Sequence, residues 1–397
     1  MLFEPANLSD QKARIIVVGV GGGGGNALNR MIQDGMNSVD FIAINTDAQD
    51  LENNNSQIKL QIGKELTKGL GAGANSEIGK NAVEENKEII IQELHKADMI
   101  FITAGMGGGT GTGGAPAIAK ISREIGALTV GIVTQPFAFE GPIRKKRALD
   151  GIKEMKKNCD TLLVIPNETL LEIASEDTTV TESFKLADSI LNQATRGISD
   201  LINKPGLINL DFADVRTIMK NMGDAIMGTG IAHGEEKAIL AAQQAINSPL
   251  LQNASIKGAK GLLVNVSGPT DMTMRELNEA SNIIYQESGE DANVILGCVI
   301  DSELKDEIRI TVIATGLNNE YNSEYNYLNE EEDIKNKYLS HSTSIEEDIT
   351  EKNNQLSKNI INKEKTTEDK KMLDKDEDIM QFGEDLDIPT FLRNRKI

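Results

Sequence analysis

The sequence predicts an α/β protein: a Rossmann-like parallel-sheet domain, a long central helix, a smaller α/β domain, and then a disordered acidic tail. Three observations predict it. Strand-like and helix-like patterns alternate between Arg14 and Ile165, the rhythm of a parallel sheet covered on both faces. One uninterrupted helical pattern runs from Thr181 to Asn203 and stops at Lys204-Pro205-Gly206. Beyond Gly316 the composition changes: 35 of the 36 glycines lie in residues 1–317, while residues 318–397 carry 20 acidic and 12 basic side chains. Such a segment buries too little surface to offset its ordering entropy.

In order, Arg14 to Val18 reads as a buried strand, and a helix from Asn26 to Asp34 follows, closed by Gly35. Val39–Asn45 and Ile58–Ile62 are further strands. Glu77–Leu94 is one helix, with Ile78, Ala82, Ile89, Ile90 and Leu94 near one face. Met99–Thr103 is a strand, and Pro116–Ile125 a helix with Pro116 in its first turn. Leu128–Thr134 and Leu162–Ile165 are strands, separated by a charged helix around Arg144–Lys157. The second half has strands near Ala225–Ile231, Gly261–Val266, Val294–Ile300 and Ile308–Ala314. Helices are expected at Phe212–Met222, Glu235–Ile246 and Thr273–Tyr285. The chain thus divides into 12–180, a connecting helix 181–204, a second domain 205–316, a linker 317–379 and a terminal peptide 380–397. As a flexible coil the linker reaches roughly 45 Å.

Composition narrows the function. The 397 residues include 61 acidic and 41 basic, a net charge of −20, which argues against gripping nucleic acid or an anionic membrane. Two cysteines, Cys159 and Cys298, make no disulfide scaffold and fit a reducing cytosol. Residues 1–12 have neither the basic nor the apolar region of a signal peptide, and no apolar run is long enough to span a membrane. A cytoplasmic protein is expected, without direct membrane insertion.

The glycines bunch where a strand ends and a helix begins. Gly19, Gly21 and Gly24 fit the dinucleotide spacing G-x-G-x-x-G, with Asp47 near the place of the ribose-binding acid. Bare backbone admits phosphate oxygens to N–H groups, and the helix N-terminus adds a favourable dipole. A tight turn without ligand is the plainer alternative. A second cluster, Gly69 to Asn75, leads into a near miss for a P-loop that lacks its first glycine and its Ser/Thr. The third, Gly105 to Gly114, again sits between strand and helix, so it is no flexible linker. Two phosphate-cradling loops on one sheet exceed what a single pyrophosphate needs and suit a triphosphate, with the Thr110 and Thr112 hydroxyls as further donors.

GGGTGTG at 107–113 resembles the signature of the tubulin/FtsZ family of GTPases. The resemblance covers about 12–316 and returns at 380–397. It rests on VGVGGGGGNA at 18–27, NTDAQ at 45–49, GAGANSEIG at 71–79, GGGTGTGG at 107–114, TQPFAFEGPIR at 134–144, NLDFADV at 209–215 and DIPTFLR at 387–393. It implies a GTP-binding domain at 12–180, an activation and assembly domain at 205–316, and GTP/GDP with Mg²⁺ as cofactors. Gly21, Gly22, Gly23 and Asn26 would form the first nucleotide loop. Ala72, Gly73 and Ala74 would approach the γ-phosphate. Gly107, Gly108, Gly109, Thr110, Gly111, Thr112 and Gly113 would wrap the phosphates. Thr134, Pro136, Glu140, Arg144 and Asn167 would line the ribose side. Phe184 would stack on the base and Asp188 would read it, since a carboxylate accepts from guanine N1–H and N2–H₂ together. Without the other motifs, Phe184 and Asp188 read rather as a core aromatic and a solvated helix acid, and Glu140 with Arg144 could be a surface ion pair worth little. Where the family often has proline, this chain has Ser76, which should loosen that loop slightly.

The resemblance further implies that Asn209, Asp211 and Asp214 act on the γ-phosphate held by a neighbouring subunit, in filaments that stack head to tail at a division ring at midcell. Metal ligands are not named by it. Asp211 is also well placed to cap the helix at Phe212. Residues 385–393 would dock membrane-tethering and regulatory division proteins, no nucleic acid being expected. Three rival functions stand beside this one: an NAD-dependent oxidoreductase; a non-catalytic filament or scaffold protein of the same fold, against which the presence of Asp211 and Asp214 argues; and a tubulin-like filament protein for plasmid partition or cell shape.

Overall fold

The computed structural model describes residues 13–317, except 175, 176, 205, 209, 252–255, 290, 291 and 303. The expected linker beyond Leu317, the terminal peptide and Asn209 lie outside the described residues.

Strand β1 (Ile15–Val20) is buried at every position, as a central parallel strand of apolar residues must be. It runs into α1 (Gly21–Gln33), then β2 (Asp40–Asn45), a short α2 (Ala48–Glu52), β3 (Ile58–Gln61) and a single turn, α3 (Lys64–Thr67). Helices α4 (Ser76–Glu85) and α5 (Lys87–Leu94) lead to β4 (Met99–Gly105), α6 (Thr110–Glu124) and β5 (Leu128–Gln135). A 3₁₀ turn (Ala138–Glu140), α7 (Pro142–Asn158), β6 (Thr161–Pro166) and α8 (Asn167–Ile173) follow. The long helix α9 (Val180–Asn203) comes next, then α10 (Phe212–Met219) and β7 (Gly223–His233). The chain continues through α11 (Lys237–Ile246), β8 (Gly261–Gly268), α12 (Met274–Ser288), β9 (Asn293–Ile300) and β10 (Glu307–Thr315).

Among the described residues, ten strands join one sheet in the order β3-β2-β1-β4-β5-β6-β7-β10-β8-β9. From β3 to β7 every neighbour is parallel. β10 runs antiparallel to both β7 and β8, and β9 is parallel to β8. The first six strands have the doubly wound order, whose switch point falls between β1 and β4.

Helix starts differ from the sequence expectation at both long glycine runs. α1 begins at Gly21, not Asn26, and α6 at Thr110, not Pro116. The glycines are helical because contact selects them. A Cβ at Gly24 would overlap the Thr103 carbonyl of β4, and one at Gly113 would overlap the Ser76 carbonyl of α4. Pro116 therefore sits inside α6, where its missing N–H leaves the Thr112 carbonyl without a helical donor. The single helix expected over 77–94 is two, because Asn86 turns its Oδ1 to the Gly63 N–H at 2.8 Å and leaves helical geometry.

α9 ties the halves together. Its Leu191, Ala194, Ile198 and Leu201 are buried in one cluster with Val17 of β1, Leu263 of β8 and Ile313 of β10. Polar bonds fix its register: Asn192 Nδ2 donates to Asp34 Oδ2 at 2.7 Å, Arg196 to the Asp34 carbonyl at 2.8 Å, and Asn265 Nδ2 to the Gly197 carbonyl at 3.2 Å. Both cysteines are buried, and burial beside Asp160 pushes the Cys159 thiol up to about 12, so it carries no thiolate at neutral pH. No helix among the described residues is long and apolar enough to cross a membrane.

Candidate active site

A cleft of about 410 Å³ opens at the C-terminal ends of β1, β4 and β5, at the switch point. Gly21, Gly22, Gly23 and Asn26 of α1 form one wall, and Gly108, Gly109, Thr110 and Gly111 at the start of α6 form the next. Thr134 and Pro136 after β5, Glu140 and Arg144 around the 3₁₀ turn, Asn167, and Phe184 and Asp188 of α9 complete it.

The glycine end is built for anions. Neither α1 nor α6 has a side-chain cap or an acidic residue in its first turn. Two sets of helix-terminal N–H groups, each carrying the positive end of a helix dipole, are thus left for a ligand. The two threonines differ. Thr110 Oγ1 is 2.6 Å from Thr46 Oγ1, and Thr112 Oγ1 accepts the Gly107 N–H at 2.8 Å, closing the loop on itself. Gly107, Thr112 and Gly113 do not line the cleft. Nor do Ala72, Gly73 and Ala74, although a Cβ at Gly109 would come within 2.8 Å of the Ala72 methyl, so that loop abuts the rim. Gly73 and Ala74 hold left-handed conformations (φ 57° and 59°), and Asn75 Oδ1 accepts the Glu77 N–H at 3.0 Å, so the segment around Ser76 is capped without proline.

At the wall after β5, Glu140 is more than one half of a surface ion pair. Its carboxylate is 9 % exposed, accepts the Phe137 N–H at 2.9 Å and pairs with Arg144 Nε at 3.0 Å. Asn167 is 5 % exposed, and its Oδ1 has no hydrogen-bond partner among the described residues. A buried acceptor left open at a cleft wall suits a hydroxyl donor from a ligand. At the far end Phe184 and Asp188 lie one helical turn apart on α9. Burial pushes the Asp188 carboxyl up to about 6, with Arg30 opposing. Asp47, the acid of the dinucleotide spacing, instead caps α2 by accepting from the Gln49 and Asp50 N–H groups.

Asp211 and Asp214 are elsewhere. Both are exposed on α10, and Asp211 occupies the N-cap position but makes no capping side-chain bond, contrary to expectation. α10 sits where β5 begins: Arg216 donates to the Gly126 carbonyl at 3.5 Å. The cleft lies where β5 ends, eight residues and ~26 Å further on. The loop before α10 is fixed to the edge of the sheet, Leu207 N–H donating to the Cys298 carbonyl at 3.0 Å and Cys298 N–H to the Ile208 carbonyl at 3.2 Å.

Two family models match the chain: the GTPase domain of the Tubulin/FtsZ family over residues 14–175, and the C-terminal domain of the FtsZ family over residues 223–318. This chain belongs to the tubulin/FtsZ family. A structure described as an empty FtsZ dimer from M. jannaschii is 45 % identical, with a TM-score of 0.75 over 78 % of this chain and 90 % of that one. A mutant FtsZ from the same organism has the same identity and TM-score and is covered to 93 %. A GTPγS-bound CetZ2 protofilament from Haloferax volcanii, 23 % identical with a TM-score of 0.66 over 77 % of this chain and 93 % of that one, shares the fold. The tubulin/FtsZ chain described here is therefore a GTPase with a mostly parallel ten-strand sheet. Sequence reasoning missed Phe137 and Phe139, whose rings pack against Phe184. Their alternation in TQPFAFEGPIR was the available signal.

Proposed function

We propose that the cleft holds GTP with its phosphates on the α1 and α6 N-termini and its base between Phe184 and Asp188. Subunits stack head to tail, so that Asp211 and Asp214 of one subunit reach the γ-phosphate in the cleft of the next. The observation that carries this is the separation of the two exposed acids from the cleft by the length of β5, which no motion of a packed core closes within one chain. Phosphoryl transfer needs positioning and charge stabilisation. The loop N–H groups would hold the phosphates while Asp211 and Asp214 orient and polarise the attacking water. Asn209 is assigned the same loop by its motif.

Mg²⁺ belongs to this reading. Among the described residues no group of three or more His, Cys, Asp or Glu could hold a metal, which fits an ion kept mainly by phosphate oxygens and water. Asp50, whose carboxylate lies 3.1 Å from the Cβ position of Gly22, is the acid on hand at the first loop. When bound, the ion supplies charge neutralisation on the phosphates.

We further assign residues 12–180 to GTP binding, 181–204 to the connection and 205–316 to assembly. The chain then acts in the cytoplasm as a cell-division filament at the midcell septum, with 385–393 docking membrane-tethering and regulatory proteins. The FtsZ relative at 45 % identity and the DIPTFLR ending support division over plasmid partition or cell shape.

The test is Asp214→Ala. It should retain GTP in a filter-binding or fluorescence assay and lose turnover. Wild-type phosphate release by this variant would overturn the shared-site reading. Deleting 385–393 should abolish midcell recruitment of a labelled chain and leave GTPase activity intact.

A further inference from the structure

Three phenylalanines meet at the base end of the cleft, and only Phe184 lines it. Phe137 is 1 % exposed and serves as the anchor. Phe139 stacks on it, centroids 5.1 Å apart and planes 14° from parallel. Both rings stand nearly perpendicular to Phe184, at 5.3 Å and 85° for Phe137 and 6.5 Å and 89° for Phe139. These are the edge-to-face geometries that aromatic quadrupoles favour. Phe139 is nevertheless 65 % exposed, so burial of its own surface does not account for its place.

The turn that carries Phe139 is stiff. Besides the Glu140 carboxylate on the Phe137 N–H, the Ala138 N–H donates to Glu168 Oε2 at 2.8 Å, and the Gly141 N–H closes on the Ala138 carbonyl at 3.1 Å. Phe184, by contrast, is 42 % exposed near the start of α9, where solvent alone would leave its ring free to change rotamer. A ring that must be ordered when a base arrives weakens binding, and one already held does not.

We infer that Phe139 is a positioning residue for the base: it fixes the Phe184 ring as a preformed stacking platform. The same 3₁₀ turn holds Glu140 at the sugar side, so the two contacts are set by one rigid piece of backbone. This rests on the reading of Phe184 as the base platform.

The test is GDP affinity of the full chain, by calorimetry, for wild type, Phe139→Ala, Phe139→Tyr, Phe184→Ala and the double alanine variant. Inorganic tripolyphosphate serves as a ligand without a base. Phe139→Ala should weaken GDP binding roughly two- to tenfold, the span of one aromatic pair, and leave tripolyphosphate binding unchanged. Phe139→Tyr should restore it, and Phe139→Ala should add nothing in the Phe184→Ala background. Unchanged GDP affinity in Phe139→Ala, with Phe184→Ala weakened, overturns the inference and leaves the platform standing. Equal loss for GDP and tripolyphosphate, or additive losses, overturns it too. Unchanged GDP affinity in Phe184→Ala overturns the platform and the inference together.

Discussion

Asp188 shows how one residue sets a measurable property of the site. Its carboxyl is pushed up to about 6 from an ordinary 3.8, chiefly by burial. In the nucleotide-free protein the folded state therefore holds a proton that the unfolded chain releases, and this contribution to stability is lost as pH rises through about 6. The proposed reading of guanine by Asp188 needs the opposite form, the carboxylate. GDP affinity should thus rise with pH across that point, roughly tenfold between one unit below and well above it. Calorimetry from pH 5 to 7.5 checks this, with Asp188→Ala as the control that removes the slope due to this group. Equal slopes in both would contradict it. The chemical types at this end were legible in the sequence, but not their environment. Burial of Asp188 and the open Oδ1 of Asn167 come from elements far apart in the chain, and no local pattern encodes them.

At the scale of elements, the strands were legible because apolar runs name themselves. The helix starts were not. Glycine disfavours helix, so periodicity reads the run 21–25 and the run 107–114 as loop until ordinary helix formers appear. Tertiary contact overrides this at α6, where Gly113 lies against the α4 backbone at Ser76. Gly113→Ala, otherwise a helix-favouring change, should therefore lower stability by about 1–3 kcal/mol through overpacking. A urea midpoint at or above wild type would refute that account. The break at Asn86 was invisible for a similar reason: it answers the Gly63 N–H, 23 residues away.

For the whole molecule, the two halves share one sheet and one core cluster through α9. Chemical unfolding of a chain ending at residue 317 should accordingly be a single transition by fluorescence-independent probes such as far-UV circular dichroism. Two resolved transitions would show that the shared cluster does not couple them. GTPase activity per subunit should rise with protein concentration, because the acids and the cleft lie at opposite ends of β5. A flat dependence would mean that each chain works alone. The sequence placed both sets of residues in their motifs, and their separation in space became visible only once β5 had a direction.

That separation also has an arithmetic. On the proposed shared site, every junction of a head-to-tail row would make one working site, and a row always has one junction fewer than it has members. One terminal subunit would then keep an intact nucleotide that nothing can attack, while its opposite number would present acids with no substrate. A pair would work at half the rate per subunit of a long row. The two ends would differ in their chemical state as well as in their shape, so the row would carry a built-in direction.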